Sequence, residues 1–268
     1  MSANNKSNNY KVYVIASGSS GNCTLVSVNG ANILIDAGIS CKRIEQGLLG
    51  ANISPESIDA IFVTHEHTDH VSGLRVFQKR YHKKIYTTAG TAAAIDKNSE
   101  LSTNCEIEII SQFSENFIKN ASICTFMTDH DAAESIGVSV ISDAGKISLA
   151  TDLGYVNKAV MENLRNSNVL IFESNYDEEM LLNGAYPWEL KKRIMGKRGH
   201  LSNKDSAEAL LELNWEGLRH VYIAHISREN NTPQIAFSNA SQTFKSESKM
   251  PELLLTWHDR PAKMVLNN

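Results

Sequence analysis

The sequence predicts an α/β fold with two sheets packed face to face between outer helices. Three observations carry this prediction. Across the 268 residues the order is β-rich, helical, β-rich, helical. No internal repeat or linker divides it, so residues 10–268 are expected to form one domain behind a flexible, Asn/Ser-rich lead of residues 1–9. Polar and ionisable residues stand just beyond several strand-like runs in both halves, as expected where strand ends share one site.

Tyr10–Ala16 reads as a strand, followed by the small-residue turn Ser17-Gly18-Ser19-Ser20-Gly21-Asn22 and a second strand, Cys23–Val28. Asn29-Gly30 is a hairpin signal into a third strand, Ala31–Asp36. The chain therefore opens as a β-meander. The Gly/Ser turn leads into a strand rather than a helix, which does not suit a phosphate loop. Its glycines serve the turn, and Asn22 is expected near the functional site. Ser40 caps a helix through Leu49, with Ile44 and Leu48 one turn apart. Ser54-Pro55 starts a turn before a buried strand over 59–63. The pattern then predicts a helix over 71–81, a strand over 84–87, a helix over 91–97 and several strands within 105–127. A hairpin over 136–150 turns at Asp143-Ala144-Gly145. There follow a helix over 157–164, a strand over 168–172 and a helix over 185–195 entered through Pro187. A helix over 204–213 capped by Asn203 precedes a strand over 219–224. A helix opened by Thr232-Pro233 leads to a closing strand over 253–256.

A net charge of −4 argues against a global electrostatic grip on nucleic acid, while leaving room for a local basic patch. Cys23, Cys41, Cys105 and Cys124 have no C-x-x-C spacing and read as buried thiols in a reducing compartment. The first nine residues lack the apolar core of a signal peptide, and no run reaches membrane-spanning length. A cytoplasmic chain with no membrane partner is expected. The sequence leaves the oligomeric state open.

The functional signal is Thr64-His65-Glu66-His67-Thr68-Asp69-His70, directly after the predicted strand over 59–63. His65, His67, Asp69 and His70 are four potential metal ligands within six residues. A chance match to H-x-H-x-D-H in a chain of this length is on the order of a few in ten thousand. Further candidates stand at other strand ends: Asp36, His130, Asp152, Glu173 and His225. His200 precedes a helix, and His82, His220 and His258 have no such setting.

His65-Glu66-His67-Thr68-Asp69-His70 resembles the signature of the metallo-β-lactamase superfamily of two-zinc hydrolases. The resemblance implies a four-layer αββα sandwich holding two divalent ions, Zn2+ first and Mn2+ as the alternative. It assigns His65, His67 and His130 to one ion, Asp69, His70 and His225 to the other, and Asp152 between them. A hydroxide shared by the ions would be the nucleophile, with Asp69 orienting it. Asp36 in its Asp-x-Gly turn would buttress the histidine loop. Gly199-His200-Leu201-Ser202 with the helix after it, and Val221–Ser227, resemble the tRNA 3′-end endonuclease branch, where such a histidine aids catalysis. His200 is thus expected to act on a phosphate oxygen or a leaving alkoxide, oriented by Glu173.

Over nearly the whole chain the motifs look closest to the YycJ/WalJ-like bacterial subfamily, which implies a DNA 5′-exonuclease. Ser19, Asn22, Glu173, Asn175, Lys197, Arg198, Arg228 and Asn231 are candidate substrate contacts, and the basic run Lys191–Arg198 suits either phosphates or a solvated helix face. The chain lacks the long insertion between Asp152 and His200 found in RNA-cleaving branches and the Gly/Pro-rich arm of the tRNA-processing kind, which speaks against RNA decay and tRNA maturation. The alternatives are a hydrolase of lactones, thioesters or cyclic phosphodiesters on the same metals, and a non-catalytic scaffold.

Overall fold

The computed structural model describes residues 9–97 and 105–267. The expectation for residues 1–8 lies outside them. The first half contains β1 (Tyr10–Ala16), β2 (Cys23–Val28), β3 (Ala31–Ile35), α1 (Cys41–Gly50), β4 (Ala60–Phe62), α2 (Thr68–Val71), α3 (Leu74–Tyr81), β5 (Ile85–Thr88), α4 (Ala89–Lys97) and β6 (Ile107–Ile110). The second half contains β7 (Glu115–Ile118), β8 (Ala121–Met127), β9 (Ile136–Ser142), β10 (Gly145–Ala150), α5 (Lys158–Leu164), β11 (Val169–Glu173), α6 (Glu178–Asn183), α7 (Trp188–Met195), α8 (Asn203–Glu212), β12 (His220–Ala224), α9 (Pro233–Thr243) and β13 (Glu252–Leu255). A last strand, β14 (Val265–Asn267), returns to the first half.

Each half makes one seven-stranded sheet, in the orders β14-β1-β2-β3-β4-β5-β6 and β7-β8-β9-β10-β11-β12-β13. Both follow one plan. Three antiparallel pairings (β14–β1, β1–β2, β2–β3; β7–β8, β8–β9, β9–β10) are followed by three parallel ones. The parallel connections carry helices, as crossovers must.

Alternation along the strands builds the layers. In β3, Ile33 and Ile35 face the other sheet, with Val12, Val26, Phe62, Val138, Ile171 and Tyr222 in the inter-sheet core. Leu34, between them, packs outward with Ile44 and Leu48 of α1 and Leu74 and Phe77 of α3. On the far side Leu170, Phe172, Val221 and Ile223 pack against Val160 of α5, Leu210 of α8 and Phe244 just past α9. The result is an αββα sandwich. A sheet covered on both faces needs apolar residues at successive positions, which is why β4 and β11 read as unbroken apolar runs.

Four local expectations are corrected. The helix predicted over 71–81 is two helices, α2 and α3, broken at Ser72-Gly73. A Cβ on Gly73 would lie 1.8 Å from the Ile39 carbonyl oxygen, so the chain bends where β3's connection crosses it. Helix α8 is capped by Ser202, whose hydroxyl accepts from Asp205 N, and Asn203 is its first residue. β13 is not the closing strand, since β14 pairs with β1 beyond it. Helix α6, capped by Asp177, lies in a stretch that carried no helical expectation.

Candidate metal centre

Three site residues are set by an uncommon backbone conformation. Asp36, Asp152 and His225, each just past a strand, have φ of 60°, 59° and 54°. Left-handed conformations of residues other than glycine carry a strain of about 1–3 kcal/mol when the surroundings impose them. Here they turn polar side chains back over the strand ends. The glycines that follow are required by close approach. A Cβ on Gly38 would stand 1.6 Å from Asp69 O, and one on Gly154 2.3 Å from the Lys197 backbone.

The loop after β4 is braced before it reaches the site. Asp36 Oδ1 accepts from Thr64 N at 2.8 Å, and its Oδ2 accepts from Thr64 Oγ1 at 2.9 Å. Asp36 Oδ2 also lies 2.8 Å from His70 Nδ1. A carboxylate accepts only, so Nδ1 carries a proton and Nε2 faces the site. Asn22 Nδ2 stands 3.1 Å from Asp69 Oδ2 and 2.9 Å from His70 Nε2, while Asn22 Oδ1 accepts from Gly18 N. The Gly/Ser turn thus aims Asn22 at the ligand loop.

The second half brings its residues one strand end at a time. His130 follows β8, with Nδ1 3.2 Å from Gly199 O and Nε2 3.3 Å from His67 Nδ1. Asp152 follows β10. His225 follows β12, and its backbone N donates to Ser17 Oγ at 2.9 Å. Fully buried Glu173 ends β11, its Oε1 2.7 Å from His200 Nδ1 and 3.0 Å from His225 Nδ1 while Oε2 accepts from Leu153 N.

Ligand atoms of His65, His67 and His130 lie within 4.8 Å of one another, and so do those of Asp69, His70 and His225. Asp152 stands between the groups, Oδ2 3.3 Å from His70 Nε2 and Oδ1 3.4 Å from His225 Nε2. The donor set suits cations. His65 Nε2, Asp152 Oδ2 and His225 Nε2 are buried without a hydrogen-bond partner, an arrangement costing kilocalories each unless something positive satisfies them. Imidazole and carboxylate are the ligands that Zn2+ and Mn2+ take.

Electrostatics lead to the same place. Burial, helped by the charge of His70, pushes His65 well below the usual imidazole range, and burial lowers His130 too, which favours the neutral, metal-binding form. Burial alone would raise Asp69 and Asp152, but neighbouring histidines outweigh it and hold both carboxyls below their usual range. Burial would lower His70 and His225; the carboxylates around them push both upward. The cluster stabilises positive charge at its centre.

The metallo-β-lactamase signature is thus set in an αββα sandwich, and residues 31–226 match the family described as the beta-lactamase superfamily domain. The chain belongs to the metallo-β-lactamase superfamily. It is 34% identical to exodeoxyribonuclease YycJ of Bacillus anthracis over 254 residues, 94% of this chain and 95% of that one. It is equally similar to exodeoxyribonuclease WalJ of Streptococcus pneumoniae, over 85% of each. Among solved structures, the metallo-beta-lactamase fold protein YhfI from Bacillus subtilis superposes with a TM-score of 0.74 at 15% identity, covering 97% of this chain and all of the other. The chain is therefore an enzyme of a hydrolase superfamily whose fold implies divalent metal.

The remaining predicted contacts divide. Ser19 and Asn175 line a cavity beside His200. Asn175 Nδ2 also donates to His225 O at 2.8 Å. Arg228 lines a neighbouring cavity. Asn231 is buried and ties Ser174 O, Asn175 O and Asn203 together, so it supports the site from behind. Arg198 donates to the His130 and Ala132 carbonyls, and Lys197 lies over the Tyr155 ring. Thr64, which joins Asp36 to the rings of His65 and His70, was not among the candidates. Its position between strand and first histidine was the available signal. Among the described residues no helix is long and apolar enough to cross a membrane, and all four cysteines are free thiols.

Proposed function

We propose that the protein is a two-metal phosphodiesterase that degrades DNA from an end. In this reading His65, His67 and His130 hold one ion, Asp69, His70 and His225 the other, and Asp152 serves both. Zn2+ or Mn2+ held there would supply Lewis acidity, both to acidify a water and to offset charge at the phosphate. Asp69 orients the attacking water through its remaining carboxylate oxygen.

The observation that carries the reading is the Glu173–His200 pair. His200 is outside the His65/His67/His130 and Asp69/His70/His225 groups, though it clusters with Asp152, Glu173 and His225, and a fully buried carboxylate fixes its Nδ1 at 2.7 Å. Burial would lower its pKa, but the charge and hydrogen bond of Glu173 raise it, which favours a proton on the side away from Glu173. A phosphodiester releases an alkoxide that must be protonated, and a positioned imidazolium is suited to that step. The exodeoxyribonuclease names of the relatives, at 34% identity over most of the chain, support DNA as the substrate. The four free thiols fit work in the cytoplasm.

The test is cleavage of end-labelled single- and double-stranded DNA by protein loaded with Zn2+ or Mn2+. Stepwise shortening is expected, with His200→Ala and Asp69→Ala each falling by about 100-fold or more. Inert DNA alongside rapid turnover of lactones or thioesters would replace this reading with a small-molecule hydrolase.

A further inference from the structure

Residues 174–199, between β11 and His200, form an arm over that histidine. Its basic run offers little free charge. Lys191 is buried, and its Nζ donates to Leu182 O and Gly184 O, both at 2.7 Å, capping the end of α6. Lys192 pairs with Glu189 and lies over the Trp188 ring. Arg193 pairs with Asp131, Arg198 holds the loop after His130, and Lys197 covers Tyr155. Each of these cations already has a partner.

What the arm presents to His200 is an apolar wall. Tyr186, Leu190 and Ile194 line one side of a cavity of 280 Å3, and the rest of its lining is polar, including His200, Asn175 and the Asp131–Arg193 pair. Ligand cavities run from about 300 to 1,000 Å3, so this one suits a single nucleoside rather than a run of them. Aromatic wall, polar lining and paired cations together favour a base and sugar over another phosphate.

The chemistry says which nucleotide. In shortening from the 5′ end by P–O3′ cleavage, the water oxygen bonds to phosphorus, the P–O3′ bond breaks, and O3′ of the departing fragment takes a proton. Glu173 fixes the His200 ring on the lining of this cavity, so a fragment whose O3′ meets His200 departs on that side. When a strand is shortened from its 5′ end, that fragment is the terminal nucleotide.

We propose that the cavity under the arm is the subsite for the released nucleotide, with Tyr186 as the face against its base. The proposal rests on the DNA-end reading. It is tested on metal-loaded protein with strands that carry an ordinary or an abasic 5′-terminal nucleotide. The wild type should prefer the ordinary terminus by about 5- to 100-fold in kcat/KM, the range expected for one base on one aromatic ring. Tyr186→Phe should keep that preference. Tyr186→Ala and Tyr186→Leu should lose most of it, falling on the ordinary terminus and hardly further on the abasic one. Leucine refills the apolar wall without a ring, so a loss from poor packing would spare it. An equal fall on both termini, or no fall, would overturn the subsite alone. A wild type that leaves DNA uncut would overturn the subsite together with the reading beneath it.

Discussion

Strands β3 and β10 hold corresponding places in their sheets, each antiparallel to the strand before it and parallel to the one after. Each ends in an Asp-x-Gly turn, with φ of 60° at Asp36 and 59° at Asp152. The two carboxylates nevertheless do different things. Asp36 spends its oxygens on Thr64 and on Nδ1 of His70, so it fixes a ring from behind. Asp152 keeps Oδ2 buried and unpartnered in the middle of the histidines. The same local geometry gives a brace where protein donors meet the carboxylate and an oxygen free to face a cation where they do not. Role follows from hydrogen-bond satisfaction, not from the turn.

The sharpest way to break this comparison is to remove each charge while keeping the backbone. Asparagine tolerates the left-handed region as well as aspartate does, so Asp152→Asn and Asp36→Asn isolate the carboxylate. Asp152→Asn is expected to lower kcat/KM on the order of 1,000-fold or more, with less metal bound per chain. Asp36→Asn still meets His70 but with a weaker partner, and a loss of about 10- to 100-fold in metal affinity or activity is expected. Metal analysis beside steady-state kinetics reads both. Equal losses would mean that the two aspartates share one role.

The glycines two residues on test the same pair through packing. Gly38→Ala drives a methyl against Asp69 O, and Gly154→Ala drives one against the Lys197 backbone. Neither neighbour is a flexible side-chain tip. Both variants should be destabilised by about 3 kcal/mol or more, above the ordinary range of overpacking. Gly38→Ala should be the worse, because the added atom would lie at 1.6 Å rather than 2.3 Å. Urea unfolding measures the order, and the reverse order would show that the ligand loop gives way more easily than its bracing suggests.

The halves also differ in how far their chemistry could be read in advance. His65, His67, Asp69 and His70 are legible because one loop carries all four, and spacing alone makes chance a poor account of them. His130, Asp152 and His225 are single polar residues after strands, a common pattern; they gain meaning only when the fold brings the strand ends together. Layers were legible for the reason that β4 and β11 are: burial on both faces leaves an unbroken apolar run. The break at Ser72-Gly73 was not, since its cause is the Ile39 carbonyl more than thirty positions away. The basic run was misleading in the same way. Lys191 reads as a surface cation, yet its ammonium caps the carbonyls of a helix that the sequence pattern did not reveal.

The smallest expected effect lies where the halves touch. Ser17 opens the connection from β1, in the first sheet, yet its hydroxyl accepts the backbone N–H of His225, at the end of β12 in the second. His225 sits in a strained conformation at φ 54°, so its amide needs a fixed partner there. Ser17 is buried, and in Ser17→Ala the amide loses that partner while the methyl fills nearly the same space. A loss of about 1–2 kcal/mol is expected, the cost of one buried donor left unmet. Ser20→Ala, in the same turn but exposed, should stay within about 0.5 kcal/mol. Chemical unfolding of the two variants side by side reads the difference. If they match, the turn after β1 serves only to aim Asn22, and His225 is held by Glu173 and Asn175 of its own half.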